Sequence, residues 1–197
     1  LDMRALVGID ADFELRVGRW IGLPGNIRDS MLAVRIHEGR LAAPVAATIA
    51  AVPLSGEIDL DGAAPVPAFS IALGTKNSPL GGLAEFLTGL RGIDGHVGRF
   101  DLSLAGRGQT LGELVRGLEA KLFIEAGRLS YGNVAGGKPV EFTLERLDIR
   151  LPRAQAMTGD IHGTLLGERF AALLKGGDLP SILRDFRSPI EIVVEGS

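Results

Sequence analysis

Apolar residues alternate with polar residues at every second position in several segments of this chain. In 9–17 the odd positions are apolar and the even positions are charged, and the same two-residue period recurs in 57–61, 100–104 and 190–195. Side chains of a strand point alternately to its two faces, so this period predicts strands with one buried and one solvated face. Such one-sided strands are typical of antiparallel sheets, because parallel sheets are covered on both faces.

The segment 140–151 contains a break in this alternation. Its apolar residues occupy even positions up to Leu144 and odd positions from Leu147 onward. One extra residue in a strand produces a β-bulge, which bends the strand and keeps the same face buried. The sequence therefore predicts a bulge at Glu145 and Arg146, with Phe142, Leu144, Leu147 and Ile149 all on one side.

Three short helices are predicted, at 80–90, 110–119 and 178–186. Pro79 suits the first turn of the first helix, Thr110 and Glu113 form a capping-box pattern, and Asp178 opens the third helix. Each helix follows a strand and a polar, glycine-containing segment (74–77, 106–109 and 176–178) that we interpret as a turn. Similar apolar spacings in the three units favour a repeated strand–turn–short helix unit. The alternative is chance spacing in a leucine-rich chain.

Composition excludes several function classes. The formal net charge is −3, so no basic field exists to attract nucleic acid. The absence of cysteine excludes disulfides, thiolate zinc sites and cysteine nucleophiles. The longest uncharged stretch, 41–56, is shorter than the roughly 20 residues of a membrane-spanning helix and contains two prolines. We expect residues 1–197 to form a single β-rich domain that is a segment of a longer protein.

Two glycine-rich segments imitate nucleotide-binding motifs. Residues 132–138 have P-loop spacing, but Pro139 replaces the magnesium-binding hydroxyl residue and a predicted strand follows where a helix is required. Residues 106–112 resemble a dinucleotide fingerprint whose last glycine comes one position late. We therefore expect no ATP or NAD binding.

Other polar residues also lack the spacing of a reactive site. Asp59, Asp61 and Gly62 fit a turn better than a calcium loop, and the three histidines lack a metal-binding spacing. We expect no catalytic residue, metal or cofactor, and hence no enzyme.

Several segments resemble AsmA-like proteins. The resemblance rests on a strand–Gly–strand pattern in 52–62, a strand–turn–strand pattern in 30–43, and strand-to-short-helix patterns in 93–114 and 170–195. It extends over most of the chain and contains no catalytic signature. Together with the alternation, it implies a mainly β fold with α+β character: an elongated, curved antiparallel sheet built from repeated strand–turn–short helix units.

The resemblance also implies a location and a role. Members of this family lie in the periplasm of Gram-negative bacteria, and the parent protein is anchored in the inner membrane. The implied role is support of outer-membrane assembly and inter-membrane lipid transport through an apolar groove. Phospholipid or another acyl lipid and other envelope proteins are the implied partners. The alternative is a structural or interaction module with a closed core and no ligand.

The candidate groove is formed by the apolar sides of 9–17, 31–36 and 140–151. We expect these sides to line one concave surface that holds acyl chains. The alternative is that the helices at 80–90 and 111–118 cover this surface as an ordinary helix-on-sheet core. The candidate lipid-binding residues are Phe13, Leu15, Val17, Leu32, Val34, Ile36, Phe142, Leu144, Leu147 and Ile149.

Overall fold

The fold is mainly β, as the sequence predicts. A computed structural model describes residues 8–22, 26–88, 91–132, 140–178 and 191–196. The described strands form one antiparallel sheet in which spatial order follows chain order from β1 to β11. The strands are β1 (Ala11–Arg19), β2 (Arg28–His37), β3 (Arg40–Ile49), β4 (Val52–Asp61), β5 (Ala68–Pro79), β6 (Ile93–Arg107), β7 (Glu119–Tyr131), β8 (Val140–Leu151), β9 (Ala156–Leu165), β10 (Glu168–Asp178) and β11 (Glu191–Gly196).

Tight turns keep consecutive strands adjacent. The β2–β3 turn places Glu38 at φ 49° and Gly39 at φ 77°, and the β3–β4 turn places Ala50 at φ 51° and Ala51 at φ 67°. Positive φ at two successive residues is the geometry of the two-residue hairpin turn, whose twist matches that of the flanking strands. At the β3–β4 turn two alanines adopt this conformation without the freedom of glycine, so the surrounding packing must hold them there.

The predicted bulge is confirmed, and it continues a row of phase slips in the neighbouring strands. Between β8 and β9 the register shifts between Leu144 and Arg146. In β5, β6 and β7 the apolar phase slips at the positions that lie beside Glu145, namely Asn77, Gly98 and Ala126. The four neighbouring strands therefore keep a common register, and the shift appears only where β9 lacks the extra residue.

Two short helices interrupt the described part of the meander. Helix α1 (Gly81–Thr88) connects β5 to β6, and helix α2 (Leu111–Arg116) connects β6 to β7. Helix α2 is shorter than predicted, whereas α1 begins one residue later than predicted and residues 89–90 lie outside the described residues. The capping-box prediction is confirmed. The Thr110 hydroxyl accepts a hydrogen bond from the Glu113 amide at 3.2 Å, and the Glu113 carboxylate accepts one from the Gln109 amide at 2.7 Å.

Two of the three predicted turns are wrong. Residues 74–77 lie inside β5 and residues 176–178 lie inside β10. Gly74 serves close packing instead, because a Cβ there would lie 2.9 Å from an Asp101 carboxylate oxygen and 3.0 Å from the Phe100 carbonyl oxygen. Asp178 therefore ends a strand, and the rest of the helix predicted at 178–186 lies outside the described residues.

The predicted role of Pro79 is also wrong. Pro79 ends β5 and pairs with His96 of β6 instead of starting α1. The β4–β5 pairing stops at Gly74, so beyond that point β5 has only β6 as a described neighbour. A proline is tolerated there because its missing amide removes no bond from a second partner strand.

The core lies where α1 packs on β6, in a buried cluster that also includes residues of β4, β7 and β8. Leu83 of α1 is 2% exposed and Phe100 of β6 is 1% exposed. A Cβ on Gly82 would lie 2.5 Å from the Ala50 carbonyl oxygen, so α1 packs tightly against the β3–β4 turn. The buried cluster consists of Val52, Leu54, Leu80, Leu83, Ala84, Val97, Phe100, Ile124, Leu129 and Leu144.

Candidate functional site

One apolar face continues across the whole sheet. In the middle of the sheet Ile71 pairs with Leu104, and at the first edge Phe13 pairs with Val34. At the other edge Ala172 pairs with Val194. Directly paired side chains share a face, so every described strand contributes to this surface, which we call the apolar face.

The apolar face is covered unevenly. Its central part belongs to the buried cluster under α1. On the edge strand β1, Phe13 is 51% exposed and Leu15 is 45% exposed, and on the edge strand β11 Ile192 and Val194 are 59% and 63% exposed. Exposed aliphatic and aromatic side chains that continue a buried core form the kind of patch that binds apolar ligands or partners.

The predicted lipid-binding residues share the apolar face but not one cluster. Those on β1 and β2 are separated from those on β8 by five strands. Val34 and Leu144 are buried at 5% and 7% exposure, whereas Phe13 and Leu15 are open. The half-buried remainder comprises Val17, Leu32, Ile36, Phe142, Leu147 and Ile149.

The opposite, polar face carries a buried carboxylate. Asp148 of β8 is 8% exposed and receives hydrogen bonds from Arg146 at 2.9 Å and from Arg150 at 2.8 Å. The hydrogen bond from Arg150 lowers the pKa of Asp148 to about 2, against the opposing effect of burial and with a further contribution from Arg146. The three residues alternate along one strand, so they share a face, and their contacts give Asp148 a structural role.

An aromatic ring links this cluster to the next strands. The guanidinium carbons of Arg99 and Arg146 each lie 5.6 Å from the centre of the Phe123 ring, a cation–π distance. Arg99 also pairs with Asp101 at 2.5 Å. Beside this group the polar face contains a depression of about 980 Å³ between β4 and β7. The sequence alone does not identify this site, because its residues come from four strands.

The glycine-rich segments that imitate nucleotide-binding motifs take ordinary structural positions where they are described. Residues 133–139, in the segment with P-loop spacing, lie outside the described residues, and the strand predicted after them is β8. At Gly108 a Cβ would lie 2.5 Å from the Glu113 Cβ, so the chain itself fills the space inside the dinucleotide-like segment 106–112. Asp61 accepts the amides of Ala63 and Ala64, which makes its segment a turn as predicted.

The described part of the chain contains neither a metal-binding cluster nor a membrane-spanning helix. No group of three or more His, Asp or Glu side chains there is arranged to hold a metal ion. No described helix combines the length and apolar character needed to cross a membrane.

Comparison with family models, with curated proteins and with solved structures gave no match.

Proposed function

We propose that this chain is a periplasmic AsmA-like domain that binds acyl chains of phospholipid on its apolar face. In this role it supports outer-membrane assembly and lipid transport between the membranes, as part of a protein anchored in the inner membrane. The observation that carries the proposal is the apolar face itself, which runs through all eleven strands and stays exposed at β1 and β11.

The chemistry of the exposed part suits aliphatic chains. Phe13 and Leu15 offer apolar surface at one edge, and the charged residues between and beside them, Asp12, Glu14 and Arg16, lie on the other face of β1. Arg19, at the end of the strand, is the one charged residue of β1 on the apolar face. Burial is worth about 25 cal/mol per Å² of apolar surface, so a two-chain lipid gains several kcal/mol without any specific contact. Such a surface tolerates acyl chains of different length.

A second candidate function is a structural or interaction module without a ligand. It is favoured by the cluster under α1, in which Leu83, Val97 and Phe100 are almost fully buried. In this case the exposed apolar residues of the edge strands would contact a partner protein instead of a lipid.

A crosslinking experiment separates the two functions. The chain is incubated with phospholipid vesicles that carry a photoreactive acyl chain, and covalent adducts are measured by mass spectrometry. We expect adducts with wild type and their loss in Leu15→Asp. The matched control is Met31→Asp, because Met31 is 36% exposed on the opposite face of β2, paired with Arg16.

Two outcomes would contradict lipid binding. One is the absence of adducts with wild type while the chain remains folded by circular dichroism. The other is equal crosslinking in both variants, which would show that the lipid does not select the apolar face.

A further inference from the structure

The polar face contains a depression whose floor is built from small residues. Strand pairing places Ser55, Gly74 and Asp101 in one row and Ala72 beside Ser103 in the next. Because these side chains are short, they leave a depression in the polar face over β4, β5 and β6. The resulting space of about 980 Å³ lies at the upper end of the range of small-molecule sites.

Cations surround this floor. Lys76 of β5 lies directly opposite Arg99 of β6, and Lys121 of β7 lies opposite Ser103. Like charges directly opposite each other in a sheet are destabilising unless something neutralises them.

The neutralisation within the depression is incomplete. Asp101 is the one acid among the described residues that line the depression, and it pairs with Arg99, which also lies opposite Glu125 of β7. Lys76 and Lys121 are exposed and make no ion pair with any described residue. The depression therefore has an excess of positive charge in a chain whose formal net charge is −3.

Apolar walls complete the site. Pro53 lines it on the β4 side and the half-buried Phe123 lines it on the β7 side. The ring of Phe123 also supports the Arg99 guanidinium at 5.6 Å. The hydroxyls of Ser55 and Ser103 line the floor and have no hydrogen-bond partner among the described residues, so they are available to donate to an anion.

We propose that this depression binds a small organic oxyanion, with its phosphate or carboxylate group between Lys76 and Arg99, which face each other, and its apolar part against Phe123 and Pro53. Charge-assisted hydrogen bonds to an oxyanion are roughly twice as strong as neutral ones, so the anionic group provides most of the affinity. The site lies on the face opposite the apolar face and does not depend on the proposed lipid function. The oxyanion belongs either to a free small molecule or to an anionic lipid headgroup.

Binding is measured with two probes and a pair of matched variants. Phenyl phosphate is titrated into the ¹⁵N-labelled chain, and separately the chain is mixed with vesicles of phosphatidylglycerol and phosphatidylcholine. Lys76→Gln removes a cation of the site, whereas Lys175→Gln removes an exposed lysine of β10 that does not line the depression.

We expect phenyl phosphate to shift the amides of Gly74 and Ser103, and Lys76→Gln to raise the dissociation constant about tenfold, the equivalent of one strong charge contact. Lys175→Gln should change it less than twofold. A second outcome would also support the site: the chain binds vesicles, Lys76→Gln abolishes this binding, and phenyl phosphate gives no response. That outcome would identify a lipid headgroup as the source of the oxyanion.

Two results would overturn the proposal. One is the absence of any response to both probes at low salt. The other is equal weakening by the two lysine variants, which would show that the anions respond to overall charge and not to this depression.

Discussion

The central and edge strands of this sheet have the same alternation and opposite environments. Phe100 of β6 and Phe13 of β1 both lie on the apolar face, yet the first is 1% exposed and the second 51% exposed. The difference lies in coverage, because α1 contributes Leu83 and Ala84 to a buried cluster that contains described residues of β4, β6, β7 and β8 but none of β1 or β11. A two-residue period therefore identifies which face is apolar but not whether that face is covered.

The largest expected difference in the free energy of unfolding is between alanine variants of the two phenylalanines. Phe100→Ala should lower the free energy of unfolding by about 3–5 kcal/mol, because it leaves a cavity in a packed core. Phe13→Ala should cost less than about 1 kcal/mol, since half of its side chain already contacts solvent. Denaturation with urea measures both values. Equal losses would mean that the edge strand is covered in solution and would remove the contrast between the two regions.

Glycines provide another comparison between centre and edge. A Cβ at Gly56 of β4 would lie 1.7 Å from the Ala72 carbonyl oxygen, whereas a Cβ at Gly18 of β1 would meet nothing within 4 Å. Because the obstacle at Gly56 is backbone, Gly56→Ala should cost about 3 kcal/mol through strain. Gly18→Ala should be neutral or should stabilise the fold by about 0.5 kcal/mol, since it restricts the unfolded chain. Thermal unfolding followed by circular dichroism distinguishes them, and a tolerated Gly56→Ala would contradict the close approach of β4 and β5.

The smallest expected effect concerns pH. The pKa of Asp148 is about 2 in the folded chain, against 3.8 for an ordinary aspartate. Its charge therefore contributes about 2 kcal/mol of stability that is fully present above about pH 4 and is lost as the pH falls towards 2. Asp148→Asn should remove this part of the acid dependence.

The control for the pH experiment is Asp12→Asn on the edge strand β1. Asp12 is exposed and makes no ion pair with a described residue, so its replacement removes an aspartate without breaking a described contact. The urea midpoint measured from pH 2 to pH 7 tests both variants. An unchanged profile in Asp148→Asn would show that the bonds from Arg146 and Arg150 do not form in solution.

Local patterns predicted much of the fold because they report local geometry. The alternation in 9–17 specified the two faces of β1, and the phase slip at Glu145 specified a bulge. The capping pattern at Thr110 specified where α2 begins. The interpretation of 74–77 as a turn failed because the same residue types also serve close packing between strands, which depends on residues distant in the sequence.

The candidate sites were predicted less completely. The sequence placed Phe13 and Leu144 on one apolar face but could not show that five strands separate β2 from β8 or that Leu144 belongs to the buried cluster. The depression on the polar face was not predicted at all. Its cations, Lys76 and Arg99, become neighbours only through the β5–β6 register.

The sequence by itself determined which side chains share a face, where a strand bulges and which helix is capped. These properties depend on residues within a few positions of one another and on the two-residue period of a strand. Only the tertiary structure decided that α1 covers the centre of the apolar face and leaves Phe13 and Ile192 exposed. It alone also brought Lys76, Arg99 and Lys121 around one floor, because cross-strand neighbours are set by register and coverage is set by contacts distant along the chain.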